Sequence, residues 1–91
     1  MYWVYILKDE KEEIYIGYTS NLERRIKEHQ AGYTRTTRLM GKKRLIYYEA
    51  FISREDAVRR EKYLKTTKGK KGLKLILRDT LKIKHKCWDV V

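Results

Sequence analysis

Proline is absent from this chain, and cysteine and phenylalanine each occur once. With no proline, no low-complexity stretch and no internal repeat, nothing marks a linker before the last few residues. The lone Cys87 excludes an internal disulfide and fits a reducing compartment. Long apolar runs, a signal peptide and lipidation motifs are also missing, so the expectation is a soluble cytoplasmic protein with no membrane partner. Acidic residues are scarce: 12 Asp and Glu against 23 Lys and Arg leave a formal net charge of +11. Charge of that sign favours a polyanion, and counterion release from nucleic acid supplies non-specific affinity. At 91 residues the chain has room for one domain and one modest core.

Tyrosine, by contrast, occurs eight times. Residues 2–7, rich in aromatic and β-branched types, read as a strand, and Glu13 to Tyr18 read as a second strand after a polar turn over Lys8 to Glu12. Alternation puts Val4, Ile6, Ile14 and Ile16 on one face, and Trp3, Tyr5 and Tyr15 on the other. If Tyr5 pairs opposite Tyr15 the two phenols are neighbours, whereas a one-residue slip separates them. Ser20 or Asn21 can cap a helix that runs to about Gln30 and stops at Ala31-Gly32. Tyr33 to Lys43 is polar, hydroxyl-rich and basic, and reads as a loop. Arg44 to Phe51 reads as the third strand. Ser53-Arg54-Glu55-Asp56 resembles a capping box, opening a helix that ends near Thr66-Thr67. A last helix is expected from about Lys70 to Lys82. The order β-β-α-β-α-α predicts an α+β fold, a three-stranded antiparallel sheet with helices packed on it. Residues 1–82 form the expected domain and 83–91 a basic C-terminal tail.

Tyr5, Tyr15 and Arg25 are spaced ten apart, and Glu61 follows on a later helix. Each has an ordinary explanation. Tyrosines suit strands, Arg24 and Arg25 suit a solvated helix face, His29 suits a helix C-terminus, and Glu61 suits a surface ion pair. Four such explanations in this order are less economical than one site. Gly17 either ends a strand or lets substrate or a helix approach the backbone. Residues 59–86 hold 12 Lys and Arg against Glu61 and Asp79, which suits a phosphate-tracking surface. His85 and Cys87 alone do not make a zinc site.

Four blocks carry a resemblance. They are Trp3-Val4-Tyr5-Ile6-Leu7, Ile14-Tyr15-Ile16-Gly17-Tyr18-Thr19, Asn21 to His29, and Arg60-Glu61-Lys62-Tyr63-Leu64-Lys65. In this order and context the chain resembles the GIY-YIG nuclease superfamily. It is most similar to the small stand-alone members related to the catalytic module of the bacterial excision-repair incision subunit. The first triplet reads Trp-Val-Tyr rather than Gly-Ile-Tyr, and Tyr18 stands where the repair nuclease has a lysine.

The resemblance implies a metal-dependent nuclease acting on DNA. Tyr5, Tyr15, Arg25, His29 and Glu61 would be catalytic, and Glu61 would hold one Mg²⁺ or Mn²⁺. Arg25 would neutralise a phosphate oxygen. A tyrosine whose pKa is near ~10 needs a neighbour to lower it before it can act as a base. Gly17, Tyr18, Arg24, Thr34, Arg35, Arg38, Lys62 and Lys65 are the expected nucleic-acid contacts. Contacts to phosphate position the backbone and read no sequence, so structure-selective or weakly selective cutting is expected. The alternative is a non-catalytic or partner-activated nucleic-acid-binding module, in which a protein partner places the substrate.

Overall fold

The computed structural model describes residues 1–31 and 43–83. The segment at 33–42, with Thr34, Arg35 and Arg38, and the tail with His85, Cys87 and Trp88 lie outside the described residues. The described chain runs β1 (Tyr2–Asp9), β2 (Ile14–Thr19), α1 (Leu22–Gln30), β3 (Lys43–Phe51), α2 (Arg54–Leu64) and α3 (Thr67–Ile76), closed by a 3₁₀ turn at Thr80–Lys82. The strands form one antiparallel sheet in the order β2-β1-β3, giving the expected α+β architecture.

Strand β1 reaches two residues further than its composition suggested. Buried Asp9 ends it by accepting from the backbone N–H groups of Lys11 and Glu13, at 2.9 and 2.8 Å. This side chain to backbone bonding is a common way for aspartate to build a turn. Buried Lys8 donates to the Leu81 carbonyl at 3.0 Å, fastening the 3₁₀ turn to the sheet.

Asn21 caps α1 through its side-chain oxygen, which accepts from the Arg24 N–H at 3.0 Å. Ser53 caps α2 in the same way. The two C-terminal helices divide earlier than expected. Thr66, read from sequence as the end of one helix, is the N-cap of the next and accepts from the Gly69 N–H at 3.1 Å. A Cβ on Gly69 would lie 2.0 Å from the Tyr63 carbonyl oxygen, so only glycine permits this close turn between α2 and α3. The expected helix over 70–82 is therefore α3, which starts earlier, followed by a separate 3₁₀ turn.

The alternation of β1 sorts the interior into two halves. Val4 and Ile6, with Ile16 of β2, pack on Ala57 and Leu64 of α2 and on Leu73 and Leu77 beyond. Each fully buried aliphatic side chain in such a core contributes about 1.5–3 kcal/mol. Glu49 of β3 lies opposite Val4 and receives both Arg60 nitrogens at 2.9 and 3.1 Å, and the Tyr47 hydroxyl at 2.7 Å. Burial pushes the Glu49 carboxyl up, but the Arg60 and Tyr47 hydrogen bonds outweigh it and hold it below the usual range. On the opposite face α1 covers Tyr5.

Candidate active site

Tyr5 does not pair with Tyr15. Its partner across the ladder is Gly17, and Tyr15 faces Leu7. The two tyrosines are therefore diagonal neighbours on one face, with ring centroids 6.2 Å apart. Gly17 explains how the Tyr5 ring can lean that way. A Cβ there would meet the Tyr5 Cζ and hydroxyl at 2.5 Å and Tyr15 Cε1 at 2.9 Å. The occupant of the space over Gly17 is the Tyr5 side chain.

α1 lays two side chains, one turn apart, over that ring. His29 Nε2 is 2.6 Å from the Tyr5 hydroxyl, and Arg25 Nε donates to the same oxygen at 3.4 Å. Arg25 can only donate, which leaves the phenolic proton free to go to His29 Nε2, and an imidazole that accepts it there carries its own proton on Nδ1. Tyr5 and His29 are both buried, each at 0 % exposure. Burial pushes the Tyr5 phenol well above its ordinary value, and Arg25 only partly offsets this. Burial also lowers His29 to about 4, helped by the charges of Arg25 and Lys43. The free protein thus holds a neutral phenol hydrogen-bonded to a neutral imidazole. The lowering influence of Arg25 on Tyr5 is outweighed by burial. Tyr15 completes the cluster, its ring edge-on to His29 at 5.0 Å and its body half-exposed. Arg25 also pairs with Glu28 at 3.2 Å and remains one-third exposed. Buried Tyr5 and His29 therefore form the floor, and Tyr15 and Arg25 form the rim.

Glu61 stands on α2, the helix packed on the opposite face of the sheet. It lies on the stripe of α2 that carries buried Ala57 and Leu64, so it faces inward at the helix edge. One carboxylate oxygen meets Lys65 Nζ at 3.2 Å. Lys65 in turn joins Tyr15 and Lys70 around a depression of about 380 Å³. Lys65 is thus the described residue that touches both Glu61 and the depression at Tyr15.

The chain matches the family description "GIY-YIG catalytic domain" over residues 1–74. It belongs to the GIY-YIG family. It is 41% identical over 83 residues to a UPF0213 protein of Clostridium perfringens, covering 90% of this chain and 89% of that one. A UPF0213 protein of Staphylococcus haemolyticus is 42% identical over 79 residues, covering 82% and 93% of the two chains. The solution NMR structure of the UPF0213 protein BH0048 from Bacillus halodurans is similar at a TM-score of 0.53, with 38% identity over 84% of this chain and 85% of that one. GIY-YIG proteins form a nuclease superfamily whose members generally use a divalent metal, so membership implies a nucleic-acid substrate.

The other residues expected at the site separate clearly. Tyr18 lies opposite Val4, on the face away from Tyr5 and Tyr15, where it stacks on Tyr2 at 6.4 Å and packs on the core. Arg24 and Lys62 are exposed on α1 and α2. Arg60, beside Glu61, is held by Glu49. Lys70 stands next to Tyr15 and was not singled out from the sequence. Its signal was faint, a lysine one turn before Lys74 with Leu73 between them. Among the described residues no three His, Cys, Asp or Glu side chains cluster as a metal cage, and no helix is long and apolar enough to cross a membrane.

Proposed function

We propose that this GIY-YIG protein is a metal-dependent endonuclease that hydrolyses DNA phosphodiester bonds with structure selectivity and little sequence selectivity. The observation carrying this reading is the convergence of Arg25, Tyr5, His29 and Tyr15 through side-chain contacts on one face of the sheet. A bare ion pair or a solvated helix face would not require that arrangement.

Glu61 is the residue that would hold a divalent cation. A single inward-facing carboxylate fits Mg²⁺ or Mn²⁺, hard ions that keep several waters and take one or two protein carboxylates. Such an ion supplies charge neutralisation at phosphorus and at the leaving oxygen. The chain's own residues do the rest. Arg25 sits at the rim with its guanidinium oriented by Tyr5 and Glu28, ready to clamp a non-bridging oxygen. Tyr15, half-exposed, orients the attacking water. Tyr5 passes its proton to His29 Nε2 as it accepts one from the water side, which makes the pair a relay. A phosphate on Arg25 offsets one of the charges that hold His29 low, so the relay gains proton affinity when substrate arrives.

The complete burial of Tyr5 and His29 favours a second reading, in which a substrate or protein partner must first open the floor. Without that partner the protein would bind nucleic acid and not turn it over. The single cysteine supports a cytoplasmic protein, and the resemblance to the excision-repair module supports a role in DNA repair.

Labelled single-stranded, duplex and branched DNA, incubated with Mg²⁺ or Mn²⁺ beside chelator and Glu61→Ala controls, tests the proposal. Metal-dependent products that vanish in both controls are expected. Tight binding with no products under either metal would sink the stand-alone enzyme and leave the partner-activated module.

A further inference from the structure

Among the described residues strand β2 is an outer strand, with no neighbouring ladder on its side away from β1. Two depressions adjoin there. The one around Tyr15, Lys65 and Lys70, about 380 Å³, shares Ile14 and Lys70 with a second of about 300 Å³, lined by Leu73, Lys74 and Leu81. Together they make one groove that begins at Tyr15 and continues between β2 and α3. Its floor is apolar, with Ile14 left 38 % exposed on it. Its rim is cationic. Lys70 and Lys74 are exposed one helical turn apart, and neither has a carboxylate partner among the described residues. Glu12, the one acid on the wall among the described residues, is already paired with Lys8.

An apolar trough edged by unneutralised ammonium groups fits a polymer that alternates anionic links with flat apolar rings. Grooves for single strands combine these two features. A duplex offers its outer phosphates to such a rim, while its stacked bases stay away from the floor. An extended peptide could add to β2, but it would leave Lys70 and Lys74 uncompensated. We infer that the β2–α3 groove receives an unpaired nucleic-acid strand continuing from the phosphate at Tyr15, with its phosphates on Lys65, Lys70 and Lys74 and its bases over Ile14 and Leu81. This rests on the nuclease reading only in taking Tyr15 as the start of the path.

The test compares binding of a blunt DNA duplex with the same duplex carrying an unpaired eight-nucleotide tail, in chelator, so that cleavage plays no part. Tailed DNA should bind more tightly and with a steeper salt dependence. Three added phosphate contacts steepen the logarithmic salt slope by about 2, at roughly 0.7 per single-strand phosphate. Lys70→Glu/Lys74→Glu should erase most of that increment. Lys68→Glu/Lys71→Glu removes the same charge from other faces of α3 and should keep it. Circular dichroism of both variants checks folding, and Lys70→Gln/Lys74→Gln should reproduce the loss without charge reversal. If the two Glu variants lose the tail increment equally, or no increment exists, the groove is not a strand path and a peptide adding to β2 becomes the better occupant. Cleavage of DNA without a tail increment would overturn this inference alone. A groove-dependent increment without cleavage would overturn the nuclease and leave the groove standing.

Discussion

The two faces of the sheet are built from the same strand by opposite physics. Toward α2 and α3, Val4, Ile6 and Ile16 bury apolar surface, which is non-directional and tolerates exchange of similar volumes. Toward α1, Tyr5 is equally buried, yet its place is fixed by two hydrogen bonds and by the space above Gly17. The first face should respond to lost volume, and the second to lost atoms in particular positions.

The largest effect is expected on the apolar face. Leu64→Ala should cost about 2–5 kcal/mol, the range for large-to-small core changes, read as a lowered urea midpoint. DNA affinity of the folded fraction should stay unchanged. A large loss of affinity in folded protein would blur the division between the faces.

Protonation of His29 comes next. Its folded value is near 4 against about 6.5 when unfolded, so the unfolded chain binds more protons between those limits. Stability contributed by neutral His29 is therefore present above about pH 6.5 and lost as pH falls toward 4, on the order of 3 kcal/mol in all. Denaturant titrations across that window should show His29→Gln losing less than the parent. Parallel curves for the two proteins would remove His29 from the account.

Gly17→Ala should cost about 1–3 kcal/mol through overpacking against Tyr5. It should also displace the Tyr5 hydroxyl from His29, so DNA cleavage should fall further than stability does. An active, slightly destabilised Gly17→Ala would mean that the ring can move freely. The smallest shift belongs to Tyr5→Phe, about 1–2 kcal/mol for a hydroxyl shared by Arg25 and His29. Its ring packing is kept, so a loss of cleavage well beyond that stability cost would isolate the proton relay. Retained cleavage would assign the chemistry to Tyr15 and Arg25 alone.

Local chemistry alone determined much of this protein. Period-two alternation in Trp3 to Leu7 assigned the faces correctly, because the pleat of a strand fixes side-chain direction. Asn21 and Ser53 marked their helix starts, because a cap is a bond between residues three apart. The order of strands and helices, and the residues that carry the family resemblance, were legible for the same reason. Tertiary structure decided the rest. Opposing Tyr5 to Gly17 rather than Tyr15 was a matter of ladder register, set by the geometry of the turn that Asp9 builds and not by the strand residues themselves. Thr66 looked like a helix end until the Tyr63 carbonyl closed on Gly69. His29 looked like a dipole partner at a helix terminus until Tyr5, 24 residues away, took up its Nε2. The hydroxyl resembled a base awaiting a cation, but complete burial under α1 keeps it protonated, because desolvation outweighs the neighbouring guanidinium.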